Sequence, residues 1–290
     1  MKRLINPEEI TNDQFIGIEQ FLLSCTVPII AENESTAGVH GTGVLFAVDN
    51  YHCIITAAHV ADYFEDYPNS LGIPANRFSL SSQVLTLKDC QVVSPKSKKD
   101  KSTYDLAVVL LDQNPDLLDY LLKNNNFLSL QNLINYKQPV KDYLISGYPQ
   151  EMTKVINRGV PRKNLVIGDL FNFITDTYNG PFESNIKLNP PHDIFLSHDE
   201  DIISNKGETI SSPKLEGISG SAIWAFDNCS NIESVWSPEK TIKIAGFQYS
   251  YLPNKWIRGI KLYALVHTFG HIDKKVKDKI TIQLGFNPEI

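Results

Sequence analysis

Three residues in this chain have side chains and neighbours suited to acyl transfer. They are His59 in Thr56-Ala57-Ala58-His59-Val60, Asp105 in Tyr104-Asp105-Leu106-Ala107-Val108-Val109, and Ser219 in Gly217-Ile218-Ser219-Gly220-Ser221. A serine hydroxyl is a weak nucleophile at neutral pH. It needs a neutral imidazole within hydrogen-bond reach and a carboxylate that fixes the imidazole's tautomer. His59 is the candidate base, Asp105 the acceptor for its Nδ1–H, and Ser219 the nucleophile. Gly217 and Gly220 flank Ile218-Ser219 and permit a turn that aims amides at one point, so the N–H groups of Gly217 and Ser219 are the expected oxyanion hole. Asp100 and Asp112 are weaker alternatives to Asp105, one in a lysine-rich loop and one past the end of a strand. Taken singly, each motif has a plainer reading: a core or capping histidine, a turn aspartate, a Gly/Ser surface loop.

The chain order His, Asp, Ser resembles that of the chymotrypsin/trypsin-like serine peptidase family, in particular a compact bacterial intracellular branch. Gly41-Thr42-Gly43-Val44-Leu45-Phe46 and Gly147-Tyr148-Pro149 add looser matches. These anchors span roughly residues 40 to 265. The resemblance implies a mostly β, two-barrel chymotrypsin-like fold and hydrolysis of peptide bonds through an acyl-enzyme, with no metal and no organic cofactor. It also implies that the strand around Gly246 to Tyr251, with Phe247, Gln248 and Tyr249 as substrate-binding residues, lines the primary pocket and pairs with an extended peptide.

The chain departs from that family at two places. Secreted members often carry a bridged cysteine directly after the base, where this chain has Val60. Trypsin-like zymogens carry an aspartate before the nucleophile, which pairs with a newly cut N-terminal amine; here Ile218 cannot. The expectation is a constitutively formed oxyanion hole, or control by a regulatory protein partner. Counting back from Ser219 to the expected pocket base reaches Ser212 and Pro213, neither of which carries a carboxylate, so a preference for Lys or Arg is not supported. The rival reading, from another functional class, is a catalytically silent or partner-activated peptidase-like binding module.

The elements around these residues read mainly as strands. Thr11 with Gln14 can cap a helix with Phe15, Ile18, Phe21, Leu22 and Cys25 on one face. Strands follow at 27–31, 42–48 and 51–56, the last two joined at Asp49-Asn50, then at 91–93 and 106–111. Leu117, Leu118, Leu121 and Leu122 recur at helical spacing after Pro115. Further strands are expected at 143–147, 165–167, 171–174, 194–197, 222–226, 242–249 and 259–265. Val266, Phe269, Ile272, Val276 and Ile280 form one apolar stripe of a C-terminal helix with its lysines solvated. This gives an N-terminal helical extension over 1–26, a first barrel over 27–114 carrying His59 and Asp105, a connecting helix and linker over 115–137, a second barrel over 138–265 carrying Ser219, and a C-terminal helix and tail over 266–290. Residues 95–101 and 198–201 read as solvated charged loops.

With 290 residues, 42% hydrophobic and 21% charged, and a formal net charge of −6, the chain reads as a soluble globular protein with no overall attraction to nucleic acid. The start lacks the apolar core of a signal peptide and no run suits a membrane span, so the expected location is cytoplasmic. Cys25, Cys53, Cys90 and Cys229 are scattered without ligand spacing, which fits buried reduced thiols. The histidines show no H-E-x-x-H spacing, and an α/β-hydrolase would need alternating helices and a glycine where Ser221 stands. The expected partner is a protein or peptide, with a dedicated intracellular protein as substrate.

Overall fold

Seven strands rich in β-branched residues form the first sheet: β1 (Thr26–Glu32), β2 (Ala37–Val48), β3 (Tyr51–Thr56), β4 (Leu71–Pro74), β5 (Val84–Thr86), β6 (Gln91–Val93) and β7 (Ala107–Leu110). The computed structural model describes residues 11–32, 37–66, 70–74, 84–95, 104–136, 140, 142–156, 165–184, 186–189, 191–203, 209–226 and 236–286. Within this sheet the order is β5-β4-β1-β2-β3-β7-β6, with antiparallel neighbours. The β2–β3 hairpin turns at Asp49, whose φ of 51° aspartate tolerates in a tight turn.

The remaining strands are β8 (Asp142–Gly147), β9 (Thr153–Ile156), β10 (Leu165–Gly168), β11 (Phe171–Asp176), β12 (Asp193–Ser197), β13 (Asp201–Ile203), β14 (Thr209–Ser211), β15 (Ala222–Phe226), β16 (Ile242–Leu252) and β17 (Trp256–Lys261). Six of them make a second antiparallel sheet in the order β11-β8-β15-β16-β17-β12, while β9 pairs with β10 and β13 with β14. The architecture is mostly β: two curled antiparallel sheets, each a half-barrel, with a few helices.

The helices are α1 (Asn12–Cys25), α2 (Ala58–Asp66), α3 (Pro115–Asn124), α4 (Pro238–Thr241), α5 (Tyr263–Gly270) and α6 (Lys274–Gln283). Thr11 and Gln14 form the reciprocal capping box of α1, and Asn114 caps α3 with Pro115 in its first turn. One apolar cluster runs from Ile18, Phe21 and Leu22 of α1 through Val44, Phe46 and Ile55 of the first sheet to Leu144, Trp224 and Phe247 of the second, ending on Phe269 and Ile280. A second lies within the first sheet, around Ile29, Leu45, Ile54 and Val109, where Leu117 and Leu121 of α3 close it.

Three expectations are corrected. The last strand ends at Lys261, and the single C-terminal helix is two: α5 starts at Tyr263, and Asp273 caps a separate α6 through the N–H of Lys275. α2 lies where the sequence reading gives no element. His198, placed in a solvated loop by its acidic neighbours, is buried, whereas Asp199 and Glu200 are exposed. Cys25, Cys53 and Cys90 are buried free thiols, and burial pushes that of Cys90 up to about 11. Cys229 and residues 96–103 lie outside the described residues.

Candidate active site

β3 ends at Thr56, and α2 begins two residues later, so His59 stands in the first turn of a helix where backbone N–H groups have no intrahelical acceptor. Asp105 supplies one. The pairing of Thr56 with Ala107 brings the residue two before Ala107 alongside the start of α2. There Asp105 Oδ1 accepts from the His59 backbone N–H at 2.9 Å, and Oδ2 lies 2.8 Å from Nδ1 of the ring. One carboxylate thus fixes both the main chain and the imidazole. With Nδ1–H donating to it, Nε2 is left as the acceptor. The imidazole is partly exposed, at 40%, so Nε2 is not sealed from an incoming group.

Ser219 sits on a loop that is fastened to β2, the partner of the strand before the base. Thr42 on β2 makes two of the fastenings: its N–H donates to Ser219 O at 2.8 Å and its hydroxyl donates to Gly217 O at 2.9 Å, while the same hydroxyl accepts from the Tyr148 N–H at 3.0 Å. Thr56 in turn donates its hydroxyl to Thr42 O at 2.8 Å. Both threonines are buried. Gly217 and Gly220 have φ of 95° and 91°, in the left-handed region. A Cβ on Gly220 would collide with Thr56 Oγ1 and Thr42 O, and one on Gly217 would lie 2.7 Å from Tyr148 O. The loop therefore packs directly against the strand that delivers His59.

The loop's amides divide into two sets. Those of Ile218, Gly220 and Ser221 donate to Leu215 O, Gln248 O and Ile218 O. Those of Gly217 and Ser219 have no partner among the described residues. The hydroxyl of Ser219 and Nε2 of His59 likewise make no hydrogen bond among them.

The strand expected to bind substrate is β16. Gly220 and Ser221 stand opposite the single residue Gln248: the Gly220 N–H donates to Gln248 O at 2.8 Å and the Gln248 N–H to Ser221 O at 2.9 Å. This is a β-bulge with a left-handed glycine in first position. On its other side β16 pairs Phe247 with Ile260 and Gln248 with Gly259, then slips a residue at Tyr249. Phe247 is a core side chain and the backbone groups of both residues are occupied, which leaves Ser250 to Leu252 as the stretch of β16 with ladder partners on β17 alone. Tyr249 donates its hydroxyl to Asp193 Oδ1 at 3.2 Å. Asp193 also takes Arg258 at 2.6 Å, and Arg258 lies over the Tyr249 ring. Burial, reinforced by the Asp193 charge, pushes the Tyr249 phenol well up.

Asp112 lies 3.7 Å from His52 Nδ1, away from His59, and Asp100 is outside the described residues. Sequence reasoning missed the Thr42–Thr56 linkage; Thr42 stood between two conspicuous glycines, but nothing local marks its hydroxyl as a bridge. It also missed His40, the extra residue where β2 slips against Ile29 and Ile30 of β1. The His40 ring packs 4.7 Å from that of Tyr63, one turn along α2 from His59, and burial, then the charge of His59, lowers its pKa. No group of three or more His, Cys, Asp or Glu among the described residues could hold a metal ion, and no helix among them is long and apolar enough to cross a membrane.

No family model matches the sequence, and no curated protein matches it. One similar solved structure comes from work titled as showing that aromatic interactions drive the coupled folding and binding of the intrinsically disordered Sesbania mosaic virus VPg protein. It is 14% identical, with 82% of this chain and 87% of that chain covered and a TM-score of 0.42.

Proposed function

We propose that this chain is a chymotrypsin-like serine endopeptidase that cleaves peptide bonds with a His59-Asp105-Ser219 triad. The observation that carries the reading is the two-point hold of Asp105 on His59, next to a serine loop fastened to the same β2–β3 framework. In the reaction, Nε2 of His59 takes the Ser219 proton as Oγ attacks the scissile carbonyl, and Asp105 stabilises the imidazolium. The free N–H groups of Gly217 and Ser219 donate to the oxyanion, a contribution of about 3 kcal/mol per donor. The imidazolium then protonates the leaving amine, and water, activated by the same histidine, hydrolyses the acyl-Ser219 ester. Every step uses side chains and backbone of this chain, and a protein or peptide is the substrate.

The test is digestion of a proteome-derived peptide mixture, with new termini read by mass spectrometry and the Ser219→Ala protein as background. Cleavage by wild type alone is expected. One observation favours a second reading, a peptidase-like binding module or one awaiting a regulatory partner: the Ser219 hydroxyl makes no hydrogen bond to His59. Folded wild type that cleaves no more than Ser219→Ala would select it.

A further inference from the structure

Gln248 is fully buried, and neither its Oε1 nor its Nε2 has a hydrogen-bond partner among the described residues. The hydroxyl of Ser221, across the bulge from it and two residues from Ser219, is also fully buried and has no partner among the described residues. Leaving a buried amide unpaired costs folding free energy, and a leucine or methionine of similar shape would avoid that cost. Such orphaned groups are what a site built to hydrogen-bond a ligand leaves behind when the ligand is absent. Their location narrows the ligand. The Gln248 backbone is bonded to Gly220 and Ser221, so its side chain belongs to the wall next to the nucleophile.

We infer that Gln248 reads the substrate side chain on the acyl side of the scissile bond, and that this side chain is an uncharged carboxamide, glutamine or asparagine. The inference rests on the endopeptidase reading above and specifies its substrate class. A carboxamide offers one acceptor and one donor group, matching Nε2–H and Oε1 of Gln248 in a pair of hydrogen bonds, with the Ser221 hydroxyl free to join either. A carboxylate would leave Oε1 facing another acceptor. A lysine or arginine would leave Nε2 unpaired and set a charge against two groups, Gln248 and Ser221, that carry none. An apolar side chain would leave all three atoms as they are. Entry requires the groups over the Gln248 side chain to part. Tyr251, whose partner Ile257 lies two residues from Gly259 opposite Gln248, shares that face of the sheet, with its phenol near Leu215 and Glu216 of the nucleophile loop.

The experiment is the same peptide digestion, read for the residue preceding each cut, on wild type and Gln248→Met, with thermal melting of both. Wild type is expected to favour Gln or Asn over Leu or Met at that position on the order of 10²-fold or more, because unpaired polar groups penalise the analogue that lacks partners. In Gln248→Met that ratio should fall at least tenfold, with a melting temperature equal to or above that of wild type. Cleavage by wild type after apolar, basic or acidic residues overturns the inference and leaves the endopeptidase reading standing. An unchanged preference in Gln248→Met overturns it too. So does a lower melting temperature, which would mean that Gln248 holds the fold together. Wild type that cleaves nothing removes both.

Discussion

Asp105 grips His59 at two points, its backbone N–H and its ring Nδ1, so the acid fixes the start of the helix as well as the imidazole. Asp105→Asn keeps an oxygen for the backbone N–H but presents an N–H₂ to Nδ1. The favoured tautomer then carries its proton on Nε2, where the base must be free. The expected outcome is a kcat lower by about 10⁴-fold with the melting temperature little changed. Peptide hydrolysis and a thermal melt on the same sample check it.

Thr42 is the second prediction. Its hydroxyl serves the Gly217 carbonyl and the Tyr148 amide together, and Thr42→Val removes that bridge at nearly constant shape. The buried Tyr148 N–H would be left unpaired, a loss of about 1–3 kcal/mol. The Gly217 peptide would lose its anchor. Both the denaturation midpoint and kcat should fall, with the oxyanion hole as the loosened part.

Gly220→Ala should be more damaging than most glycine changes. The φ of 91° is unfavourable for alanine, and the new methyl would meet Thr42 O on β2 as well as Thr56 Oγ1 and the Ala57 amide at the strand end that delivers His59. Overpacking and backbone strain together suggest a loss of about 2–4 kcal/mol, read by chemical denaturation.

His198 gives a pH dependence of stability. Its Nδ1 accepts from the Asn254 N–H and its Nε2 lies 3.0 Å from the Ser212 hydroxyl, an arrangement that suits a neutral ring. Burial lowers its pKa from the ordinary 6.5, partly opposed by Asp199. Below 6.5 the unfolded chain takes up a proton that the folded chain refuses, so the stability is complete above 6.5 and is lost as pH falls through the window below it. His40 is shifted in the same direction. Denaturation midpoints between pH 7.5 and 5 should therefore decline, and His198→Gln should flatten the decline without abolishing it.

Local pattern was enough where local chemistry decides the element. Pro115 and the leucine spacing mark α3, Thr11 and Gln14 mark α1, and the runs Tyr51–Thr56 and Ala222–Phe226 are strands to the residue. It was not enough for α2, whose first turn is held by an aspartate far along the chain, nor for the break at Asp273, which the apolar stripe from Val266 to Ile280 runs straight across. At the site, the three motifs were visible because histidine, aspartate and a glycine-flanked serine have distinctive neighbours. The hydroxyl of Thr42 and the register slip at Tyr249 arise only from pairing between distant strands. That slip decides which residues of β16 keep an unpaired edge.

The most direct measurement is the intact mass of the purified protein after exposure to a fluorophosphonate probe, for wild type, Ser219→Ala and His59→Ala. One adduct on wild type, mapped to Ser219 and absent from both variants, is what an activated serine requires. Folded wild type that gains no mass, or gains it equally after either substitution, would contradict the triad.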